Sequence, residues 1–238
     1  MYKNNTILGL IPARGGSKGL PRKNIRLLLE KPLITWTIEQ ALASKYLDRI
    51  VISTDDEEIA EISKKYGADV PFLRPKELAT DEANGIDVVL HTIDWIEKND
   101  KSYNLLMLLQ PTSPLRLAED IDRAIELLFQ KNAHAIISVC KTEHHPYWSN
   151  ILPENGCMEE FIRQGIKNKN RQKLPIFYRL NGVIYLAYCD YLKKHRSFFE
   201  KGTFAYIMPP ERSVDIDSLF DFKLAEFLLK EQKKGPRI

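Results

Sequence analysis

The sequence predicts an α/β fold, a three-layer α/β/α sandwich in which helices cover both faces of a mainly parallel sheet. Short apolar runs alternate with amphipathic runs along most of the 238 residues, and this alternation is typical of parallel strands joined by right-handed crossovers. Residues 105–109 are apolar throughout, as expected for a strand buried on both faces. Because the alternation resumes after one irregular segment, we interpret residues 1–238 as a single domain.

Strands are predicted where β-prone residues form short runs, and helices where apolar residues lie three or four positions apart. The first helix follows Pro32, which suits a helix start, and the second stops at Gly67. The pattern predicts strands at residues 6–11, 49–54, 70–73, 105–109, 135–140, 183–188 and 204–208. It predicts helices at residues 33–43, 57–66, 85–98, 118–131 and 218–234.

The alternation is interrupted between residues 141 and 177. This segment is polar, contains Pro146, Pro153 and Pro175, and has no sustained periodicity. Its composition leaves three interpretations open, namely a linker, an ordered loop over a site, or a contact between subunits.

The charge balance limits the classes of partner. Lys and Arg number 35 against 32 Asp and Glu, a net charge of +3, so a dedicated nucleic-acid binder is not expected. Three cysteines, Cys140, Cys157 and Cys189, are too few for a disulfide framework or a zinc site. No signal-peptide pattern or membrane-length apolar run is present. We therefore expect a soluble, cytoplasmic protein without a membrane or nucleic-acid partner.

The first loop, residues 13–24, combines glycines with positive charge. Its three glycines allow a sharp turn and a close approach of backbone N–H groups to a ligand. Four cations surround that turn: Arg14, Lys18, Arg22 and Lys23. Mobile cations with backbone donors suit a polyphosphate, although neither the P-loop spacing nor G-x-G-x-x-G occurs. A basic surface turn without a ligand is the alternative interpretation.

A second candidate segment, residues 109–116, follows the most apolar predicted strand. It carries two prolines and the polar side chains of Gln110, Thr112, Ser113 and Arg116. In open α/β sheets ligands bind beyond the carboxyl ends of the strands, so this segment, the first loop and Asp215 are expected at one rim. Taken alone, the segment could equally be a proline-rich turn with a helix cap.

Two carboxylates, Asp215 and Asp217, are separated by one residue. In an extended backbone such residues point the same way, and two adjacent carboxylates repel unless a cation lies between them. Hard oxygen ligands next to a nucleotide phosphate are what Mg²⁺ requires. The alternative is a pair of exposed loop acids, with Asp217 capping the last helix.

Four segments together carry a resemblance to a known family. Residues 11–24, 109–116, 178–185 and 214–218 occur in the order, and with the residue types, of the acylneuraminate (sialic acid) cytidylyltransferases, and the similarity spans residues 7–222. The resemblance implies a Rossmann-like sheet of the nucleotide-diphospho-sugar transferase type. It also favours the Mg²⁺ interpretation of Asp215 and Asp217.

The resemblance further implies roles for individual residues. Nucleotide contacts are expected from Ala13, Arg14, Gly15, Ser17, Lys18, Lys23, Asn24 and Arg74. Sugar-acid contacts are expected from Gln110, Arg171, Arg179, Tyr185, Phe198 and Phe199, although the two phenylalanines could be ordinary core. Arg14 and Lys18, together with Asp215 and Asp217, are the expected catalytic residues, and no side chain is identified as the general base.

The implied reaction is transfer of CMP from CTP to the anomeric hydroxyl of a nine-carbon sugar acid, with release of pyrophosphate. N-acetylneuraminic and N,N′-diacetyllegionaminic acids are the expected substrates, and Trp148, where some sialic acid enzymes carry lysine, leaves the choice open. The segment at about 141–178 resembles the family's dimerisation arm, so a homodimer is expected. The alternatives are an eight-carbon sugar acid as substrate, a CTP-binding regulatory protein without turnover, and a nucleic-acid-binding module.

Overall fold

The computed structural model describes residues 1–16, 19–162, 170, 172 and 174–233. Ser17, Lys18 and Arg171 lie outside the described residues. The strands are β1 Ile7–Pro12, β2 Leu27–Leu28, β3 Lys31–Pro32, β4 Arg49–Ser53, β5 Leu105–Leu109, β6 Ala135–Lys141, β7 Tyr178–Tyr188 and β8 Thr203–Met208. The helices are α1 Leu33–Leu42, α2 Glu57–Lys65, α3 Gly85–Asn99, α4 Ala118–Gln130, α5 Cys189–His195 and α6 Leu219–Lys233.

Six strands form one sheet in the order β4-β1-β5-β7-β6-β8. β1 pairs in parallel with β4 and β5, and β8 pairs in parallel with β6. β7 runs antiparallel to both of its neighbours. The predicted mainly parallel sheet is therefore confirmed, with one antiparallel strand that the sequence pattern did not indicate.

Helices cover both faces of this sheet. Along β1, Ile7 and Ile11 join the apolar cluster of α1, α2 and α4, whereas Leu8 and Leu10 join the cluster of α3 and α5. Successive side chains of a strand point to opposite faces, which is why one short strand contributes to two cores. The predicted three-layer sandwich is confirmed.

Three local predictions differ from the structure. The predicted strand at residues 70–73 forms only isolated bridges, from Asp69 to Val51 and from Leu73 to Thr54. β7 begins at Tyr178, five residues before the predicted strand. The seven-residue helix α5 was not predicted. It follows β7 without a loop, so no turn residues mark its start.

The last helix packs beside the first loop. Phe222, Ala225 and Leu229 of α6 share a cluster with Leu20 and Trp36. A reciprocal cap starts this helix, because Ser218 N donates to Asp221 Oδ2 at 2.8 Å and Asp221 N to Ser218 Oγ at 3.3 Å. The alternative in which Asp217 caps the helix is therefore wrong.

The described part of the 141–177 segment is folded at its base. The ring of His145 lies 4.8 Å from that of Phe177, and its Nε2 lies 3.1 Å from the Pro175 carbonyl oxygen. The edge-to-face ring contact and this hydrogen bond join the two ends of the segment. Across residues 1–16, 19–162 and 174–233, no helix has the length and apolar character to cross a membrane.

Candidate active site

A cleft of about 460 Å³ opens at the carboxyl ends of β1 and β5. Most of its lining comes from the first loop, a loop before α3 and the segment after β5, and Asp217 adds a fourth part of the chain. The predicted site residues among them are Arg14, Lys23, Asn24, Arg74, Gln110 and Asp217. This placement agrees with the rule that ligands bind at the carboxyl edge of an open α/β sheet.

The first loop is anchored to the turn that follows β4. Gly15 N donates to Asp55 Oδ1 at 3.0 Å, and a Cβ on Gly15 would lie 2.7 Å from Asp56 Oδ2. Arg22 forms an ion pair with the same Asp56. The Gly15 N–H thus already donates to the Asp55 carboxylate. Glycine suits this position because a side chain here would come too close to Asp56.

Two further predicted nucleotide ligands have backbone partners. Ala13 is buried and its N donates to the Ser53 carbonyl oxygen at 2.9 Å. Asn24 is also buried, and its Nδ2 donates to the Arg14 carbonyl oxygen at 3.0 Å, while its Oδ1 has no hydrogen-bond partner. Asn24 therefore fixes the backbone of the loop and keeps one free acceptor.

The cations of the cleft contact its carboxylates. Arg14 lies 2.8 Å from Asp81, and Lys23 Nζ lies 2.9 Å from Asp217 Oδ1. Arg74 is buried against Ser53, to whose Oγ its Nε donates at 2.9 Å. Burial lowers the pKa of Arg74 to about 10, so it stays charged at neutral pH. Asp81 was not among the predicted site residues, because no sequence motif marks an acidic residue that pairs with a cation of the cleft.

Asp215 is a carboxylate without enough donors. Its Oδ1 is buried and has no hydrogen-bond partner. Burial raises the pKa of Asp215 despite a hydrogen bond from the side chain of Thr112, and the charge of Asp217 raises it further. Asp217 itself is 80% exposed. A cation beside this pair would relieve the desolvation and the repulsion together.

The donor set fits Mg²⁺. Both groups supply hard oxygen ligands, and the buried Oδ1 of Asp215 is the acceptor that a cation would satisfy. Among the described residues no group of three or more His, Cys, Asp or Glu side chains could hold a metal. Mg²⁺ is usually bound by one or two carboxylates together with substrate phosphates and water, so two carboxylates are a sufficient protein contribution.

Gln110 and Asp215 approach the same point of β7. Gly182 has φ +73°, and a Cβ there would lie 2.9 Å from Gln110 Oε1 and 3.5 Å from Asp215 Oδ2. The absence of a side chain at this position therefore brings the predicted sugar ligand and the predicted metal ligand together.

Three predicted sugar-acid residues form an aromatic cluster. The ring of Tyr185 lies 5.5 Å from that of Phe198 and 6.4 Å from that of Phe199. Phe198 is buried and belongs to the core cluster of α3 and α5, whereas Phe199 is 59% exposed. For Phe198 the structure favours the core interpretation, whereas Phe199 leaves an apolar face exposed.

Arg179 lies at the start of β7, outside the lining of the cleft. Its Nε and one terminal nitrogen lie 3.2 and 3.1 Å from the carboxylate of Glu143, and that nitrogen lies 3.4 Å from the Ser213 carbonyl oxygen. The hydrogen bond that Arg179 donates to Glu143 raises the pKa of Arg179. The guanidinium is therefore a permanent cation, and it contacts Ser213, which precedes Asp215 by two residues in the sequence.

Arg116, at the end of the segment after β5, points inward. It is 1% exposed and donates to the Val183 carbonyl oxygen at 2.7 Å and to Thr37 Oγ1 at 2.8 Å. Burial lowers the pKa of Arg116 to about 9, which still leaves it charged at neutral pH. It joins α1, β7 and the Gln110 segment and offers no group to the cleft.

Comparison with known proteins extends over nearly the whole chain. Residues 8–232 match the cytidylyltransferase family. CMP-N,N′-diacetyllegionaminic acid synthase of Legionella pneumophila is 37% identical, over 94% of this chain and 96% of that protein. Pseudaminic acid cytidylyltransferase of Campylobacter jejuni is 34% identical, over 94% and 96%. N-acylneuraminate cytidylyltransferase of Escherichia coli is 35% identical over 96% of this chain, which spans 53% of that longer protein.

The fold also has solved counterparts. CMP:2-keto-3-deoxy-manno-octonic acid synthetase, solved in complex with CTP, superposes with a TM-score of 0.71 over 95% of this chain and 99% of that one. Only 15% of the aligned residues are identical. The likeness therefore concerns the arrangement of helices and strands.

Proposed function

We propose that this chain, which belongs to the cytidylyltransferase family, transfers CMP from CTP to the anomeric hydroxyl of a nine-carbon sugar acid and releases pyrophosphate. The observation that carries the proposal is the position of the Asp215–Asp217 pair. Asp217 lines the cation-lined cleft. Asp215 lies close enough to Tyr185 for its charge to raise the pKa of that hydroxyl, and the ring of Tyr185 contacts that of Phe199. That position suits the junction of a nucleotide and an acceptor.

The nucleotide would occupy the cleft. Arg14 and Lys23 would exchange their contacts with Asp81 and Asp217 for the triphosphate, which carries more charge than either carboxylate. Arg74 would provide a buried cation near the base or ribose. Ser17 and Lys18 continue the same loop and are proposed to complete the phosphate contacts. This assignment accounts for three cations at one rim of a protein with little net charge.

The sugar acid would lie on the far side of the carboxylate pair. Gln110 would donate to its polar groups, and Phe199 would cover its acyl substituent. The cations Arg179 and Arg171 are proposed to bind its carboxylate. Relatives act on legionaminic, pseudaminic and neuraminic acids by their names, and we propose that this chain takes one of these nine-carbon acids.

The chemistry is a displacement at phosphorus. The anomeric oxygen forms a bond to the α-phosphorus, the bond from that phosphorus to the pyrophosphate oxygen breaks, and the hydroxyl proton is released. Alignment and charge neutralisation are the main requirements. Arg14 and Lys23 would stabilise the leaving pyrophosphate, and Asp215 and Asp217 would hold Mg²⁺. When bound, Mg²⁺ supplies Lewis-acid neutralisation of phosphoryl oxygens and lowers the pKa of a coordinated hydroxyl.

A homodimer is proposed together with this activity. The described part of the arm exposes large apolar side chains: Ile151 at 88%, Leu152 at 57%, Met158 at 56% and Ile176 at 61%. Several such residues on one projecting segment are typical of an interaction site. The arm starts next to Arg179, so a partner seated on it would lie close to the sugar-binding side.

The test is pyrophosphate release from CTP with Mg²⁺. N-acetylneuraminic, N,N′-diacetyllegionaminic and pseudaminic acids are compared with the eight-carbon 2-keto-3-deoxy-manno-octonic acid. Turnover with one nine-carbon acid, abolished in Asp217→Ala, supports the proposal, and the ratio of kcat/KM values identifies the substrate. Preference for the eight-carbon acid, or CTP binding without turnover on any acid, would contradict it.

A further inference from the structure

We infer that the buried ion pair between Asp120 and Arg212 positions the carboxylates of the metal site. Neither residue lines the cleft, so both are positioning residues. The inference rests on the proposed function, because it concerns the site formed by Asp215 and Asp217. It assigns a role in the reaction to a pair that would otherwise be considered part of the core.

The pair is short and bidentate, with the side chain of Asp120 buried and that of Arg212 25% exposed. Arg212 Nε donates to Asp120 Oδ2 at 3.0 Å, and its Nη2 donates to Oδ1 at 2.8 Å. Asp120 is 1% exposed, and the Tyr206 hydroxyl also donates to its Oδ1 at 3.1 Å. Two parallel bonds between planar groups fix orientation as well as distance. Arg212 is thus held in one place relative to α4.

The segment that follows Arg212 depends on such an anchor. Residues 213–218 form neither helix nor strand, although they carry both carboxylates. Ser213 is fully buried, and Ile216 N donates to the Thr112 carbonyl oxygen at 2.9 Å. The cap of α6 at Ser218 holds the far end. The ion pair to Arg212 holds the near end, three residues before Asp215.

The Asp120 carboxylate also anchors the segment on the other side of the site, which carries Gln110 and Thr112. Asp120 Oδ2 accepts from the Leu117 N–H at 3.0 Å and so caps α4. α4 follows directly from the segment of Gln110 and Thr112, and Thr112 contacts Asp215. The carboxylate of Asp120 therefore anchors both the segment that carries Gln110 and the segment that carries Asp215. Supporting shells of this kind determine how accurately metal ligands are placed.

The test measures how much a divalent metal strengthens CTP binding. The dissociation constant for CTP is determined by calorimetry in EDTA and again in Mn²⁺, without sugar acid, so no turnover occurs. Mn²⁺ binds CTP in solution equally in every titration, so a change in the ratio between variant and wild type reports the metal site of the protein. In Asp120→Asn we expect this ratio to fall about tenfold, while the constant in EDTA stays that of the wild type.

The matched control is Arg123→Gln, which removes an exposed ion pair with Glu119 on the same helix. It is expected to leave the ratio unchanged. A folded Asp120→Asn protein with the full ratio would overturn the inference. If Asp120→Asn does not fold, Arg212→Lys keeps the charge but cannot form both bonds. An unchanged ratio in that variant would overturn the inference equally.

Failure of the inference can be distinguished from failure of the proposed function. A wild-type protein that releases no pyrophosphate with any sugar acid contradicts the proposed function, whatever the variants do. A wild type that turns over, together with an Asp120→Asn protein that keeps the full metal ratio, contradicts the inference alone. Loss of CTP affinity in EDTA as well would assign the pair to general folding and also overturn the inference.

Discussion

At the scale of single residues, Asp215 lies in surroundings that disfavour its charge. Its Oδ1 is buried without a donor, and Asp217 adds a second negative charge. An ionised carboxylate in such surroundings lowers the stability of the metal-free protein, and a bound cation would remove that cost. Such residues are expected at functional sites, where local rules of polar satisfaction are broken for the sake of binding.

The first prediction follows from the raised pKa of Asp215. As the pH rises above 3.8, the ordinary pKa of this side chain, the folded protein keeps the Asp215 proton after the unfolded chain has lost it. The free energy of unfolding therefore falls between 3.8 and the higher folded pKa, and it stays reduced at neutral pH. Asp215→Asn removes the penalty. We expect its metal-free melting temperature at pH 7 to exceed the wild-type value by about 2–4 °C, equivalent to ~1 kcal/mol in a chain of this size.

Differential scanning calorimetry in EDTA over a range of pH checks this prediction. The difference between the variant and the wild type should disappear once the pH is below 3.8, where both states are protonated. Asp217→Asn serves as the comparison and should gain less, because its own side chain is 80% exposed and it removes only the smaller contribution of the Asp217 charge to the raised pKa of Asp215. A lower melting temperature for Asp215→Asn at neutral pH would contradict the argument.

The second prediction concerns Gly182. Substitution by alanine puts a side chain at φ +73° and a Cβ 2.9 Å from Gln110 Oε1. Gly156 provides a matched control with φ +69° and no atom within 4 Å of its Cβ position. Both alanine variants should lose about 1–2 kcal/mol of unfolding free energy through the left-handed backbone. Only Gly182→Ala should also raise the KM for the sugar acid.

Urea unfolding and steady-state kinetics separate the two effects of the Gly182 substitution. Equal kinetic constants in both alanine variants would show that Gln110 moves aside freely. The space beside Gly182 would then have no part in substrate binding.

At the scale of elements, local patterns predicted what depends on local sequence. β5 occupies the predicted residues 105–109, and α4 ends one residue before its predicted limit. These elements carry clear apolar periodicity. The first five residues of β7, 178–182, lack it, because this end of the strand is partly exposed and leads into the arm. Its antiparallel direction depends on the path of the chain through the arm.

Predictions for the candidate site divide in the same way, between residues that a local motif identifies and residues whose role depends on distant partners. Gln110 and Asp217 lie in the cleft, as their motifs indicated. Arg116 and Arg212 could not be assigned from sequence, because their partners Val183 and Asp120 are 67 and 92 residues away. Such roles arise from packing between distant elements. A motif records that an arginine is present but not whether it faces ligand or core.

The third prediction concerns the start of α2. Asp56 caps this helix by accepting from Ile59 N at 3.0 Å, and it also pairs with Arg22 of the first loop. Burial opposes ionisation of Asp56, but the bonds from Arg22 and Ile59 N prevail and lower its pKa. Its stabilising effect is therefore present above the ordinary value of 3.8 and is lost as the pH falls through the lower folded value.

Asp56→Ala should therefore cost about 1 kcal/mol of unfolding free energy at pH 7 through the lost cap. It should also weaken CTP binding, because Arg22 no longer fixes the loop. Urea titration and calorimetry with CTP measure the two effects. Glu58→Gln is the control, since it removes the other, 61% exposed partner of Arg22 but no cap. A normal CTP affinity in Asp56→Ala would show that the loop holds its shape without this anchor.

At the scale of the whole molecule, the two most exposed large apolar side chains of the described residues, Ile151 and Phe220, lie in separate regions. One is the arm, with Ile151 and Ile176, and the other is α6, where Phe220 is 75% exposed and Phe227 58% exposed. Either region could support association between copies of the chain. The arm starts beside Arg179 and α6 packs beside the first loop, so the two possible assemblies would place a partner differently.

The fourth prediction decides between these surfaces. If the arm forms the dimer, Ile176→Asp places a charge in the interface, which is unfavourable without a partner group, and should convert the dimer to monomers in sedimentation velocity. Because Ile176 is 61% exposed in the single chain, the monomer should keep its melting behaviour. Phe220→Asp is the matched control and should remain dimeric.

Activity should follow the assembly if a partner completes the sugar-binding side. The Ile176→Asp monomer is then expected to bind CTP normally but to show a raised KM for the sugar acid, because CTP contacts come from the cleft of one chain. If Phe220→Asp dissociates the dimer and Ile176→Asp does not, the interface lies on α6 and not on the arm. A fully active Ile176→Asp monomer would show that one chain contains the whole site, and the arm would then act on some step other than catalysis.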